Sequence, residues 1–392
     1  MGDSFRSPPR IAILIEGSNA YGRGLLTGIR RFLHEHGPWD LFVPEHGRGT
    51  PPLDAVRRWQ GDGMIARIET LEIAAAVSDV RRRQHLALVD VSAAGLAPEA
   101  PCVETDDAAI AALAVKHFRQ RKFAKFAYVG DSRFRWSKNR GDAFAQELAG
   151  LAPVHRFDAD LAAADGGTEG DGGALAAWLR GLPKPIALFA GYDARGRQVI
   201  DACRDIGLSV PDDVAVLGVD DDPLLCSLAS TPLSSIVPDA EGAGWRAAEL
   251  IDRLLQGAHL QRNLWLLPPL GLTLRQSTAT IACDDPIVAG ALRFIREQAC
   301  RGIKVSDVAE AVGTTRHVLA GRFLKLTGHS PHEEIVRVQF RQVETLLIDT
   351  DLSLAEIAAR TGFRHAEYMT VAFTRRYGRP PSRWRKAQRS GP

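Results

Sequence analysis

The sequence predicts a two-lobed α/β domain with parallel sheets, followed by an all-α domain that carries two helix-turn-helix motifs. Over roughly the first 280 residues, short apolar strands alternate with amphipathic helices, which is typical of parallel sheets covered by helices on both faces. Between residues 305 and 385 one helical pattern occurs twice, which indicates a duplicated unit. The length of 392 residues suits two or three domains.

The α/β part is predicted from patterns that follow one another along the chain. Strands are expected at 11–15, 41–43, 63–66, 85–89, 126–129, 186–190 and 214–219. Helices are expected at 21–36, 53–60, 69–80, 107–121, 139–149, 173–180, 193–206 and 240–255, with the Gly/Asp-rich segment 165–173 as a loop. This part is long for one doubly wound domain, so we expect two lobes. The chain is expected to cross between them near 130–138 and to return near 231–237.

The duplicated part reads as two helix-turn-helix units. Equivalent residues lie 49 and then 50 positions apart: Val308/Ile357, Ala309/Ala358 and Gly313/Gly362, followed by Leu319/Met369, Phe323/Phe373, Gly328/Gly378 and Pro331/Pro381. Ser306, Thr315 and Ser353 are expected to cap helices, and glycines to end them. A small alanine permits the steep helix crossing that such a unit needs. The alternative interpretation is two ordinary helical hairpins in a larger α domain.

The second copy carries a recognisable signature, namely Ile357-Ala358, Gly362-Phe363, Phe373, Gly378, Pro381 and Trp384-Arg385. With it the stretch resembles the DNA-binding domain of the AraC/XylS family. Met369 and Val343 depart from the family pattern. The resemblance implies two recognition helices, held apart by a helix around 336–348, that enter adjacent major-groove turns of double-stranded operator DNA. Base contacts are expected from Thr315, Arg316 and His317 in the first copy, and from Arg364, His365, Glu367 and Thr370 in the second.

Charge supports a nucleic-acid partner. Residues 284–392 contain 18 Lys/Arg and 12 Asp/Glu, a net charge of +6, whereas the rest of the chain carries −4. The basic residues are concentrated after Phe363, where Glu367 is the one acidic residue, and we expect Arg375 and Arg376 to contact phosphates. The alternative is a solvated basic tail.

Motifs of the α/β part resemble the sugar-binding domain of lactose-repressor-type regulators, which is of the periplasmic-binding-protein type I. They are Arg140-Gly141 with Phe144, Tyr192-Asp193-Ala194-Arg195-Gly196, Gly218-Val219-Asp220-Asp221, Thr231-Pro232-Leu233 and Leu274-Arg275-Gln276-Ser277-Thr278. Joining this domain to a paired helix-turn-helix is the arrangement of xylose-operon activators. The resemblance covers nearly the whole chain and implies a sugar-responsive regulator, with xylose implied by resemblance alone.

The expected sugar site lies at the carboxyl ends of the strands, where open parallel sheets bind ligands. Arg140, Asp193 and Asp220 are the positions that the resemblance assigns to ligand contact, and such groups bond sugar hydroxyls directionally. We expect Trp136 to cover the apolar face of the sugar, with Tyr21 and Arg23 contributing from the first lobe. The alternatives are a helix N-cap for Asp193 and plain core packing for Trp136.

An enzyme is the alternative from another class. Gly22-Arg23-Gly24, followed by Gly28, is similar to a dinucleotide fingerprint, and Glu45 could serve as its ribose acid. Its glycines, however, begin several residues past the strand, whereas the fingerprint needs them in the strand-to-helix turn. A sugar-processing enzyme would need a base beside the sugar, which we do not find. We therefore predict no catalysis, no cofactor and no metal site.

The remaining features concern the domain layout and the cellular setting. The five cysteines are scattered and fit reduced thiols, and neither a signal peptide nor a membrane span is predicted, so we expect a cytoplasmic protein. We expect a disordered lead-in at 1–9, an effector domain at 10–279, a linker at 280–286 and a DNA-binding domain at 287–388. The expected partners are operator DNA, a small sugar, RNA polymerase and a second copy of the chain, with no membrane.

Overall fold

In the computed structural model the chain divides into two compact units, residues 1–279 and 280–392. The structure describes residues 8–47, 50–92, 94–159, 172–283 and 285–389. Most of the expected lead-in, most of the expected loop at 165–173 and Asp284 of the expected linker lie outside the described residues.

The first unit contains two six-stranded sheets, one for each lobe. The first sheet has the order β11-β5-β4-β3-β1-β2 and is parallel throughout, and the second has the order β12-β10-β9-β8-β6-β7 with β12 antiparallel. The strands are β1 Arg10–Leu14, β2 Asp40–Phe42, β3 Gly63–Ala66, β4 Ala87–Asp90, β5 Cys102–Thr105, β6 Phe126–Asp131, β7 Val154–Ala159, β8 Ile186–Ala190, β9 Val214–Val219, β10 Ser234–Val237, β11 Leu264–Leu267 and β12 Gly271–Thr273. The two-lobed parallel-sheet fold is thus confirmed.

Helices cover both faces of these sheets. They are α1 Ala20–His36, α2 Leu53–Arg58, α3 Leu71–Gln84, α4 Asp107–Gln120, α5 Arg135–Glu147, α6 Gly172–Gly181, α7 Asp193–Asp205, α8 Pro223–Leu228 and α9 Ala240–Leu255. The predicted crossover at 130–138 is wrong, because this segment joins β6 to α5 within the second lobe. The chain crosses instead between β5 and α4, again between β10 and α9, and a third time between β11 and β12.

The glycines of the suspected dinucleotide fingerprint lie in α1 and serve helix packing. A Cβ on Gly24 would meet the Cβ of Ala240 at 2.5 Å, and one on Gly28 would meet the carbonyl oxygen of Glu241 at 2.0 Å. A Cβ on Gly244 of α9 would likewise meet the carbonyl oxygen of Leu25 at 2.0 Å. These contacts let α1 and α9 lie side by side on the first sheet, where Leu25, Ile29 and Ile251 are buried.

The second unit is helical. It consists of α10 Pro286–Gln298, α11 Val305–Ala311, α12 Arg316–Thr327, α13 Pro331–Asp349, α14 Leu354–Arg360, α15 Ala366–Tyr377 and α16 Pro381–Arg389. One apolar core, around Val308, Leu319 and Phe323, packs the helices α10, α11 and α12 together. A second core, around Ile357 and Phe373, packs α14, α15 and α16 together. Helix α13 contributes to both cores. At 19 residues, or about 28 Å, it is longer than the expected helix at 336–348.

Most of the predicted caps are present. Thr315 accepts from the Val318 amide at 3.3 Å, and Ser353 exchanges hydrogen bonds with Glu356 in a capping box. Gly313 and Gly362 adopt φ of 64° and 80°, as the expected helix ends require. Ser306 does not cap α11. The helix begins one residue earlier, at Val305, and the Asp307 carboxylate accepts from the Lys304 amide at 2.8 Å. Similarly, Pro286 of the expected linker is the first residue of α10.

Among the described residues, none of the helices is long and apolar enough to cross a lipid bilayer.

Candidate functional sites

A cleft of about 410 Å³, including its open mouth, lies where the carboxyl ends of the two sheets face each other. This is the position at which open parallel sheets bind ligands. Its lining consists of Asn19, Tyr21, Arg67, Val91, Ser92, Glu104 and Thr105 from the first lobe, and of Trp136, Arg140 and Asp220 from the second. Tyr21, Trp136, Arg140 and Asp220 were expected here from the sequence.

Arg67 is the cationic residue that the first lobe contributes to the cleft lining, and it directly follows β3. Its guanidinium pairs with Glu16 and, at 2.7 Å, with Glu69, and lies 5.4 Å from the centre of the Tyr21 ring. Burial alone would lower the pKa of Arg67, but the Glu69 and Glu16 carboxylates raise it, so the group stays charged. Its Nε is buried and has no hydrogen-bond acceptor among the described residues. Arg67 therefore offers a ligand one directional donor.

Arg140 is the cationic residue that the second lobe contributes to the cleft lining. Its Nε donates to Asp107 at 2.8 Å and one Nη donates to the Gly191 carbonyl at 2.6 Å. The side chain is almost fully buried, and Asp107 is the largest contributor that raises its pKa against the effect of burial. The guanidinium is thus held rigidly at the cleft wall, with its second Nη not engaged by any described residue.

Asp220 stands on a strained turn. It and Asp221 have positive φ of 109° and 49°, a conformation that costs energy in residues other than glycine and often occurs at functional sites. Asp193 lies behind this turn and does not line the cleft. Its side chain is 1% exposed, and its oxygens accept from the Asp222 amide at 2.7 Å and the Ser235 hydroxyl at 2.6 Å. Asp193 therefore supports the loop that presents Asp220.

Glu104 was not anticipated by the sequence analysis. It lies in β5 and is 7% exposed, and no described residue donates a hydrogen bond to its carboxylate. Burial, and next the charge of Asp107, raise its pKa well above the usual value for a glutamate. A buried polar group without a partner is costly, so a ligand hydroxyl would stabilise this position.

Trp136 and Arg23 link the lobes rather than face a ligand freely. The Trp136 ring stacks on Phe134 with centroids 5.5 Å apart, and its Nε1 donates to Glu69 of the first lobe at 3.2 Å. Arg23 is not part of the cleft lining. It pairs with Asp222 of the second lobe at 2.9 Å and remains half exposed. Both residues bridge the cleft at its edges.

Arg67 and Glu104 line the cleft but are not among the residues expected from the sequence, and only Arg67 has a recognisable sequence signal. Arg67 follows a correctly predicted strand, at the same position relative to its strand as Asp220, and the rule applied there would have found it. Glu104 belongs to β5, a strand of four residues in which Val103 is the one strongly apolar side chain. Such a short strand has no periodicity that could identify it.

In the second unit, the expected base-reading residues lie on or before α12 and α15. Thr315, Arg316 and His317 are exposed at the start of α12, and Arg364, His365, Glu367 and Arg375 are exposed on and before α15. Thr370 is half-buried. Arg376 turns towards its own domain, because its Nε donates to the Tyr377 hydroxyl at 3.3 Å and its guanidinium lies 5.8 Å from the centre of the Phe340 ring.

Comparison with known proteins covers almost the whole chain. Residues 10–107 match the XylR N-terminal domain, residues 115–278 a periplasmic binding protein-like domain and residues 308–387 a helix-turn-helix domain. The chain is 31% identical to the xylose operon regulatory protein of Escherichia coli K12 over 97% of its own length and 98% of the relative, and 27% identical to that of Haemophilus influenzae over 96% and 98%.

A solved structure agrees with these matches. The xylose-binding transcription activator XylR superposes with a TM-score of 0.78 at 31% identity, covering 98% of this chain and 99% of the other. A LacI transcriptional regulator from a Rhodococcus species matches 70% of the chain with a TM-score of 0.57 at 20% identity, which shows the fold alone. With such similarity over almost its entire length, the chain belongs to the family of xylose operon regulatory proteins, which are transcription regulators and not enzymes.

Proposed function

We propose that this regulator activates a pentose-catabolic operon, and that its effector is a neutral sugar of the xylose type bound in the cleft. The names of the relatives support xylose, since they are xylose operon regulatory proteins and a xylose-binding activator. The observation that carries the proposal is the charge of the cleft. Both arginines of the cleft lining are already paired with carboxylates, Arg67 with Glu16 and Glu69 and Arg140 with Asp107, so that no uncompensated cation is left to bind a sugar acid or a sugar phosphate.

The proposed contacts follow from the hydrogen-bonding groups that line the cleft. Arg67 Nε and the second Nη of Arg140 donate to hydroxyl oxygens, and the Glu104 and Asp220 carboxylates accept from hydroxyl groups. Tyr21 and the exposed edge of Trp136 contact the apolar face of the ring. In this proposal Asp193 positions Asp220, and Arg23 bridges the two lobes at the edge of the cleft through Asp222.

We further propose that the protein acts in the cytoplasm as a homodimer on double-stranded operator DNA and contacts RNA polymerase there. Sugar bound between the lobes alters the dimer contact and so repositions the DNA-binding units. Effector and operator are then coupled, typically by about 1–3 kcal/mol. We assign phosphate contacts to Arg375 and Arg376. Base contacts are assigned to Arg364, His365, Glu367 and Thr370 of the second helix-turn-helix and to Thr315, Arg316 and His317 of the first.

The cleft is tested by calorimetry of the full-length protein with D-xylose, L-arabinose, D-ribose, D-glucose and D-xylonate. We expect one neutral pentose to bind and D-xylonate not to bind. Glu104→Gln should weaken that pentose by about tenfold or more, because the amide keeps only one of the two oxygens that the carboxyl group offers to sugar hydroxyls. Glu99→Gln, on the exposed surface, is the matched control. Binding of D-xylonate in preference to D-xylose would refute the neutral-sugar proposal.

The regulatory part is tested with DNA from upstream of the operon that the protein controls. Gel-shift titrations with and without the sugar should show a change in operator affinity of roughly 5- to 150-fold. A reporter transcribed from the same DNA should respond in the same direction. An unchanged operator affinity and an unchanged reporter, with sugar binding intact, would contradict the coupling.

A further inference from the structure

The helix α15 exposes two large apolar side chains to solvent. Tyr368 is 66% exposed and Val371 is 68% exposed. Successive residues of a helix are rotated by about 100°, which puts Val371 opposite the buried side chains of Met369 and Phe373. Val371 is therefore at the centre of the outward face, and Tyr368 lies beside it.

The surroundings of this apolar centre are cationic. Arg375 lies one helical turn after Val371 on the same face, and Arg364 lies two residues before the start of the helix. Both arginines are exposed, and neither forms an ion pair among the described residues. A face with positive charge at its ends and apolar side chains at its centre is complementary to the major groove, in which phosphates flank the base edges.

The first helix-turn-helix has no side chain at the equivalent centre. The repeat aligns Val371 with Gly321 of α12, and a Cβ on Gly321 would meet nothing within 4 Å. The exposed apolar side chains of α12, Val318 and Leu324, lie to either side of that glycine. The two copies therefore share a frame but differ at the point that would lie deepest in the groove.

We propose that Val371, assisted by Tyr368, recognises the C5-methyl groups of thymines in the half-site of the second helix-turn-helix. The inference rests on the DNA-binding function proposed above and deepens it, because it names the chemical group that is recognised. Thymine alone among the four bases presents a methyl group in the major groove, and apolar side chains contact it there. Gly321 leaves the first half-site without a contact equivalent to that of Val371.

The test uses the full-length protein with its bound pentose and a library of random double-stranded DNA. Selected sequences are resynthesised with deoxyuridine in place of one thymine at a time, which removes the methyl group and keeps the base pairing. At one position of one half-site, we expect the wild type to lose about fourfold in affinity, the value of one buried methyl group. Val371→Ala should lose a similar factor on thymine and nothing more on uracil. Tyr368→Ala should act on a neighbouring thymine.

Two further variants make the outcome decisive. Ile348→Ala removes an exposed apolar side chain on α13 and should keep the full preference for thymine. Gly321→Val has room for its side chain and should create a thymine preference in the other half-site. If Val371→Ala keeps the preference of the wild type, or weakens thymine and uracil sites equally, the inference is wrong. If no sequence is enriched by the wild type, the proposed DNA-binding function fails, and this inference with it.

Discussion

The cleft and the DNA-binding surface both depend on arginines, and they use them in opposite ways. In the cleft, Arg67 and Arg140 are buried and bound to carboxylates. On α15, on α16 and in the turn between them, Arg375, Arg383 and Arg379 are exposed and form no ion pair among the described residues. A neutral sugar is recognised through the direction of hydrogen bonds, which rigid and neutralised groups supply. A polyanion is recognised through charge, which must be left uncompensated.

The same contrast appears in the arginines that serve structure within the second unit. Arg385 donates to the carbonyl oxygens of Leu347 and Leu352, at 3.2 and 2.6 Å, and so fastens α16 to the connection between α13 and α14. Arg376 lies against Phe340. A basic run in the sequence therefore contains two classes of residue, and the hydrogen-bond partners distinguish them.

The largest effect is expected from removing a buried cation. Arg67→Ala leaves the Glu16 and Glu69 carboxylates buried without their partner, and should lower the free energy of unfolding of the first unit by about 3–5 kcal/mol. Arg379→Ala, on the exposed surface, should change stability by less than about 0.5 kcal/mol. Urea unfolding at pH 7 measures both. A loss below about 1 kcal/mol for Arg67→Ala would show that the cleft does not depend on buried pairing.

A pH effect on stability is expected from a carboxyl group that lies next to the cleft lining. Burial raises the pKa of Asp90, which lies behind Ser92, to about 7. The folded state therefore retains a proton that the unfolded state releases above its ordinary pKa near 4, and stability falls as pH rises through this range, by at most about 1.4 kcal/mol per pH unit. Asp90→Asn keeps the acceptor and removes the titration. Its stability relative to the wild type should increase from pH 5 to pH 8, measured by thermal or urea unfolding, and a constant difference would contradict the pKa shift.

Capping tests the local order of the second unit. Ser353→Ala removes the hydroxyl of the α14 capping box and should lower stability by about 1 kcal/mol. Ser306→Ala is the matched control, because Ser306 is inside α11 and does not cap it. We expect Ser306→Ala to cost clearly less in the same unfolding experiment. Equal losses would mean that the position of the α11 cap is different from the one described.

The smallest effect concerns salt. Arg379→Ala should reduce the slope of log operator affinity against log salt concentration by about 0.9 if Arg379 neutralises one phosphate. Sugar affinity should hardly depend on salt, because the cleft charges are buried and paired. Anisotropy titrations between 50 and 200 mM salt compare the two ligands. A sugar affinity that falls as steeply as the DNA affinity would remove the distinction between the two sites.

Much of this molecule could be predicted because its elements have clear local signals. The duplicated unit is predicted from the spacing of Ala309, Gly313 and Phe323 and their counterparts, and Arg140 and Asp220 are predicted from motifs that resemble the sugar-binding domain of lactose-repressor-type regulators. Glu104 was missed because β5 is too short to show a period. The crossover between the lobes was misplaced for the same reason, since without β5 the first lobe had no visible last strand.

By itself the sequence determined the fold of both units and the helix-turn-helix repeat, because periodicity, caps and glycines act over a few residues and are readable from order alone. The family followed from the resemblance of its motifs. The tertiary structure decided which charges are paired and which remain open. Arg67 meets Glu16 across 51 positions of the chain, and Asp193 meets Ser235 across 42. Such pairs depend on the order of the strands in a sheet. Asp193 supports a loop and Asp220 lines the cleft, and only the residues around each carboxylate in the folded protein distinguish the two roles.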